Sequence, residues 1–127
     1  MVNSGCDGEL PMALDEQGHR LFVGVRSPPA LLVYDTGSGN VVARLPVGKD
    51  TDDLFYDDAR KRIYVICGEG QVNVVRQETP DRYAMEESLV TAGRARTGLF
   101  VPEEDRLYVA APAAGMTPAR LLVYRVR

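Results

Sequence analysis

The feature that most constrains this chain is a hexapeptide that returns twice. Arg20-Leu21-Phe22-Val23-Gly24-Val25, Arg62-Ile63-Tyr64-Val65-Ile66-Cys67 and Arg106-Leu107-Tyr108-Val109-Ala110-Ala111 share one pattern: Arg, aliphatic, aromatic, Val, then small or apolar residues. Their starts lie 42 and 44 residues apart. A repeat of about 40–45 residues, built from short strands, is the spacing of a β-propeller blade. The three copies predict an all-β chain of three blades, at roughly 10–48, 49–93 and 94–127, forming a single partial propeller.

Each copy can be read strand by strand. In the first, Pro11-Met12-Ala13-Leu14 ends in the turn cluster Asp15-Glu16-Gln17-Gly18-His19, and a strand runs from Arg20 to Arg26. Ser27-Pro28-Pro29 breaks it, because proline cannot donate to a ladder. Ala30 to Asp35 follows, then the turn Thr36-Gly37-Ser38-Gly39, then Asn40 to Leu45. Four strands joined by hairpins make one up-and-down sheet. The second copy takes Asp53 to Tyr56, Arg62 to Cys67, Gln71 to Arg76 and Tyr83 to Val90. In the last of these, Ala84, Met85, Glu86 and Glu87 favour a helix by propensity, but the repeat demands a strand there. The third copy supplies Gly98 to Val101, Arg106 to Ala111 and Leu121 to Val126, and no outer strand. Gly68-Glu69-Gly70 and Gly37-Ser38-Gly39 read as hairpin turns, not phosphate loops.

Three blades cannot close a ring that needs roughly four to eight. An arc leaves blade faces bare, so the chain is expected to be the C-terminal part of a longer protein, with a self-assembling arc as the alternative. In many propellers the missing outer strand of the last blade comes from the other terminus; Val2 to Cys6 is too rich in Gly and Ser to read as a good substitute.

Composition excludes some functions. The net charge of −3, with both signs interspersed, lacks the basic stripe of a duplex nucleic-acid binder. No apolar run approaches membrane-spanning length, and the N-terminus lacks the charged and apolar regions of a secretory signal. Cys6 and Cys67 are too few for a disulfide framework and are read as free thiols, a Cys6–Cys67 bridge being the alternative. With His19 the only histidine, neither a Ser-His-Asp or Cys-His set elsewhere nor a zinc site of usual spacing can be built.

Leu31-Leu32-Val33-Tyr34-Asp35-Thr36-Gly37-Ser38-Gly39-Asn40-Val41-Val42, followed by Leu45-Pro46-Val47-Gly48, resembles the recurrent unit of the YVTN family of bacterial β-propellers. Ser38 stands where Thr is commoner, and Val74-Val75-Arg76 and Val123-Tyr124-Arg125 lack the Asp-Thr turn. The stretches 10–15, 50–57 and 96–102 are similar to the last three blades of YncE-like members. That resemblance implies a seven-bladed ring with four further blades, and a periplasmic or secreted parent. No cofactor is assigned.

Within a propeller, the loops entering the innermost strands converge on the mouth of the central channel. Here they supply Glu9; Asp50, Asp52 and Asp53; and Arg94, Arg96 and Thr97. One reading is a polar mouth suited to a cation or a polar small molecule. The other is structural: the aspartates satisfy turn amides and Arg96 pairs with one of them. Asp50-Thr51-Asp52-Asp53 lacks the glycine and the distant glutamate of an EF-hand loop, so no metal is assigned. His19, with its period-mates Lys61 and Asp105, reads as a solvated turn residue. Arg20, Arg62 and Arg106 are expected to act within their blades, capping strand ends or pairing with Asp15, Asp57 and Glu103 or Glu104. Tyr34, Tyr64, Tyr108, Tyr124, Phe22, Phe55 and Phe100 are expected between blades. The function expected is a non-catalytic binding or scaffold module, its partners an unknown protein, a polar small molecule, the remaining blades or a second copy. The alternative is part of a propeller enzyme, lactonase-like or quinone-dependent, whose catalytic groups would come from several blades.

Overall fold

The structure is a computed structural model and describes residues 10–127. It contains eleven strands in three antiparallel sheets. Blade one is β1 (Met12–Asp15), β2 (Arg20–Arg26), β3 (Pro29–Asp35) and β4 (Val41–Pro46), hydrogen-bonded in chain order. Blade two repeats this with β5 (Thr51–Asp57), β6 (Arg62–Cys67), β7 (Gln71–Thr79) and β8 (Arg82–Val90). Blade three has β9 (Thr97–Val101), β10 (Arg106–Ala111) and β11 (Arg120–Arg125), with a 3₁₀ turn at Pro102–Glu104 between the first two. Each recurrent hexapeptide is the second strand of its sheet. Residues 84–89 lie in β8, so tertiary pairing overrides their helical preference.

The hairpin between first and second strands is built the same way three times. His19, Lys61 and Asp105 adopt left-handed backbone at φ 57, 55 and 56°. Their carbonyls accept hydrogen bonds from Thr36, Gln77 and Val126 N–H, at 3.0, 2.8 and 2.9 Å, just past the third strands of blades one and three and within β7. Ahead of the turn, Asp15 Oδ1 accepts Gly18 N–H at 3.0 Å and Asp57 Oδ1 accepts Arg60 N–H at 3.2 Å.

Strand alternation decides what the sheets bury. The residues at Phe22, Leu31 and Val33 point from blade one into a core shared with Leu54, Ile63, Val65, Cys67 and Val75 of blade two. The opposite side of blade two sends Tyr64, Ile66, Val72 and Val74 against Leu107, Val109 and Ala111 of blade three. Each of the larger fully buried side chains contributes about 1.5–3 kcal/mol relative to exposure. A third cluster, Val23, Val25, Ala30, Leu32 and Tyr34, occupies the side of blade one facing away from blade two. Cys67 is a free, buried thiol, and burial pushes its pKa up to about 11, which leaves it unreactive at neutral pH. The reading of Cys6 lies outside the described residues.

Two expectations need correction. The aromatic residues Phe22, Tyr64, Phe55, Phe100 and Tyr124 do pack against the interblade clusters, but Tyr34 belongs to the far side of blade one. Tyr108 lies in neither cluster; its hydroxyl donates to Glu104 Oε1 at 2.7 Å. The leading arginines form no ion pair with Asp15, Asp57, Glu103 or Glu104, because Asp15 and Asp57 turn inward to hold their own turns; the expected capping within the blade does hold for Arg20, which donates to the Gly18 and His19 carbonyls at 3.3 and 3.0 Å. Arg20 also crosses to blade two, where Asp81 Oδ1 accepts at 2.7 Å and the Pro80 carbonyl at 3.1 Å. Arg62 pairs with Glu86 of its own sheet at 2.8 Å and reaches the Arg127 carbonyl past blade three. Arg106 meets the carbonyls of Glu104 and Asp105.

Candidate functional site

The inner strand of blade two starts earlier than its apolar pattern indicates. β5 opens at Thr51, and a register irregularity between Thr51 and Asp53 leaves Asp52 bulged out of the ladder while Asp53 pairs opposite Ile66. Asp52 and Asp53 are therefore strand residues, not loop residues, and Thr97 is likewise the first residue of β9. Asp50 and Arg94 do sit in the entering loops, both with left-handed backbone at φ 62 and 65°. Such turns carry the chain from an outer strand to the next blade, and bonds at their far side fix them: Gly68 N–H to the Asp50 carbonyl at 2.7 Å, Arg94 N–H to the Gly68 carbonyl at 2.6 Å.

Arg26, Asp50, Asp52 and Arg96 form an alternating chain of charges contributed by all three blades. Arg26, at the end of β2, contacts Asp52 through Nη2 and lies 3.6 Å from Asp50 Oδ1. From the loop before β9, Arg96 Nε reaches Asp50 Oδ2 at 2.8 Å and Asp52 Oδ2 at 3.2 Å. Two guanidiniums thus neutralise two carboxylates. Asp53 points beside them, accepting Leu54 N–H at 3.1 Å and, across the blade boundary, Gly98 N–H at 3.3 Å. Burial raises its carboxyl above the usual carboxylate range despite those two donors. Pairs of this kind, partly open to solvent, each contribute at most about 1 kcal/mol; their larger effect here is to fix how neighbouring sheets sit.

Of the residues singled out in the sequence, the structure brings together Asp50, Asp52 and Arg96, with Asp53 adjacent. Arg94 and Thr97 do not join them. They line a shallow cavity of about 530 Å³ on blade three with Ala111, Arg120 and Leu121, and Arg96 borders it too, linking it to the carboxylates; the Arg94 guanidinium donates to the Ala113 carbonyl at 3.4 Å. Glu9 lies outside the described residues. His19 is exposed and away from the mouth. Among the described residues no three His, Cys, Asp or Glu side chains converge to hold a metal ion. Arg26 is the participant that sequence reasoning missed, and Arg120 completes the basic rim of the cavity. Neither carries a signal along the chain, since each finds its place through contacts between strands far apart in sequence.

No protein-family model matches this sequence, and no curated protein matches it. Solved structures do. A propeller-like chain in the crystal structure of a mitotic checkpoint complex superposes with a TM-score of 0.79 at 14% identity, over 98% of this chain. This chain spans 38% of that chain's length. A functionally unknown protein from Desulfotomaculum acetoxidans aligns over 81% of this chain and 49% of its own, with a TM-score of 0.42 at 7% identity. The first likeness, with the three antiparallel sheets, shows an all-β, propeller-type fold.

Proposed function

We propose that this chain is a non-catalytic binding or scaffold module, three blades of a YVTN-type, YncE-like propeller that offers a bare sheet face to a protein surface. One observation carries the reading: a cross-strand row repeated three times and covered twice. The rows are Ala13–Phe22–Val33, Phe55–Tyr64–Val74 and Leu99–Tyr108–Val123, each set by the strand registers of its own sheet. Val33 is 1% exposed and Val74 is 4% exposed, each beneath the next blade, while Val123 is 53% exposed. Leu99 and Leu121, on the same side of blade three, are 57% and 61% exposed. A contiguous apolar patch of this sort marks an interaction surface, and the cover that its two predecessors receive is another sheet.

Other features support the reading. Asp35 Oδ1 accepts Gly37 N–H at 2.7 Å and Ser38 N–H at 3.4 Å, which gives the YVTN-like Asp-Thr-Gly turn a mechanical purpose and holds that carboxyl below its usual range. The carboxylates an enzyme would need at the mouth, Asp50, Asp52 and Asp53, are engaged by arginines and backbone amides. A polar ligand in the neighbouring cavity on blade three would meet Arg94, Arg96, Thr97 and Arg120 instead, and so would favour negative charge. The structural neighbour belongs to a protein complex, which fits a role in assembly.

Light scattering on the purified chain, with binding of an apolar fluorescent dye in parallel, tests the reading. Wild type is expected to self-associate or to bind the dye, and Val123→Glu on the bare face to abolish either behaviour without unfolding. A stable monomer that leaves the dye unbound would sink the proposal.

A further inference from the structure

Aligning the three sheets by register isolates a place where the third is chemically unfinished. In blade two, Arg62 of β6 stands directly opposite Arg76 of β7. Like charges so placed repel, and the outer strand answers them: Glu86 of β8 lies 2.8 Å from Arg62 Nε and 3.8 Å from Arg76 Nη1. In blade one the corresponding pair is Arg20 opposite Asp35, which neutralises itself at 3.7 Å. In blade three it is Arg106 opposite Arg125. Among the described residues no carboxylate forms an ion pair with either of them, and Arg106 is left with the two carbonyls of its own turn.

Among the described residues, the same strand is an uncovered edge. β3 and β7 are each flanked by an outer strand, whereas β11 ends its sheet. Along that edge, facing β8, runs a crevice of about 350 Å³ bordered by Glu87, Leu89, Val123, Tyr124 and Arg125. The surroundings are basic as well. Residues 94–127 hold six arginines against three acidic residues, while the rest of the chain is acidic in balance.

We propose that the edge of β11 takes an extended, antiparallel segment of a partner polypeptide, and that this segment carries a carboxylate seated between Arg106 and Arg125. The unpaired N–H and C=O groups of the edge supply the hydrogen bonds of β-strand addition, and the acidic side chain sets register and selects the partner. A second copy pairing edge to edge is disfavoured, because antiparallel β11 strands would bring Arg120 and Arg125 of one copy against those of the other. The proposal rests on the binding-module reading and names the chemistry of its partner.

The test uses a labelled peptide with the chain's own outer-strand sequence, Arg82–Val90, and its E86Q/E87Q version, titrated into the intact chain by fluorescence anisotropy. The acidic peptide is expected to bind saturably, with slowed hydrogen exchange at the amides of β11. The glutamine version should bind about three- to fivefold more weakly. Arg125 is exposed, so R125Q leaves the core alone and should shrink that difference towards none. Four outcomes would overturn the proposal: no saturable binding at millimolar peptide, equal binding of the two peptides, protection confined to strands other than β11, or a dimer of the unliganded chain with β11 already protected. The bare face is tested separately by light scattering, so a failure at the edge is distinguishable from a failure there.

Discussion

Asp105 shows how one residue can serve both a turn and an interface. Its left-handed backbone closes the hairpin of blade three, and its Oδ1 accepts Arg60 Nη2 from blade two at 2.7 Å. That hydrogen bond holds the Asp105 carboxyl below its ordinary value of 3.8. A carboxyl lowered by folding contributes stability that is fully present above the unfolded value and is lost as pH falls through the folded one. Asn tolerates the left-handed region as Asp does, so Asp105→Asn is expected to keep the turn and to flatten the loss of stability below about pH 4. Urea denaturation across that range measures it, and an unchanged slope would mean that this pair does not couple folding to pH. At this scale the sequence was a partial guide. The turn role shared by His19, Lys61 and Asp105 was legible from spacing alone. The cross-blade partners of Arg20, Arg26 and Arg60, namely Asp81, Asp52 and Asp105, were not, because each depends on how two sheets abut.

At the scale of the element, the hexapeptides made β2, β6 and β10 readable, since aliphatic and aromatic residues alternate there without competition. β8 needed the repeat to overrule Ala84, Met85 and Glu86. The start of β5 was hidden by Asp52 and Asp53, residues that avoid strands; Asp52 bulges from the ladder and pairs with Arg26 and Arg96, while Asp53 stays on it and accepts two backbone amides. β9 depends on a missing side chain. A Cβ at Gly98 would press on Ile66 Cδ1 and lie 2.5 Å from the Tyr108 carbonyl oxygen, so the strand can lie flush against its neighbours only as glycine. Gly98→Ala is expected to destabilise the chain by about 1–3 kcal/mol, the usual penalty of overfilling a packed site. Equilibrium denaturation reads this directly, and a neutral result would mean that β9 is not seated as described.

At the scale of the whole molecule, the number of blades and the absence of an outer strand in the third were legible because they are counts of a repeat. Among the described residues, only blade two has neighbours on both sides, with one cluster against Phe22, Leu31 and Val33 and another against Leu107, Val109 and Ala111. In stacked architectures each unit draws its stability from adjacent interfaces. The chain should therefore come apart from its ends inward. Native-state hydrogen exchange is expected to be slowest at Ile63, Val65 and Val74, with β1 and β11 exchanging well before them; uniform protection across the sheets would contradict this. A sandwiched middle sheet thus gives the molecule a melting order, and with it a partly opened form in which the central sheet outlasts both of its companions.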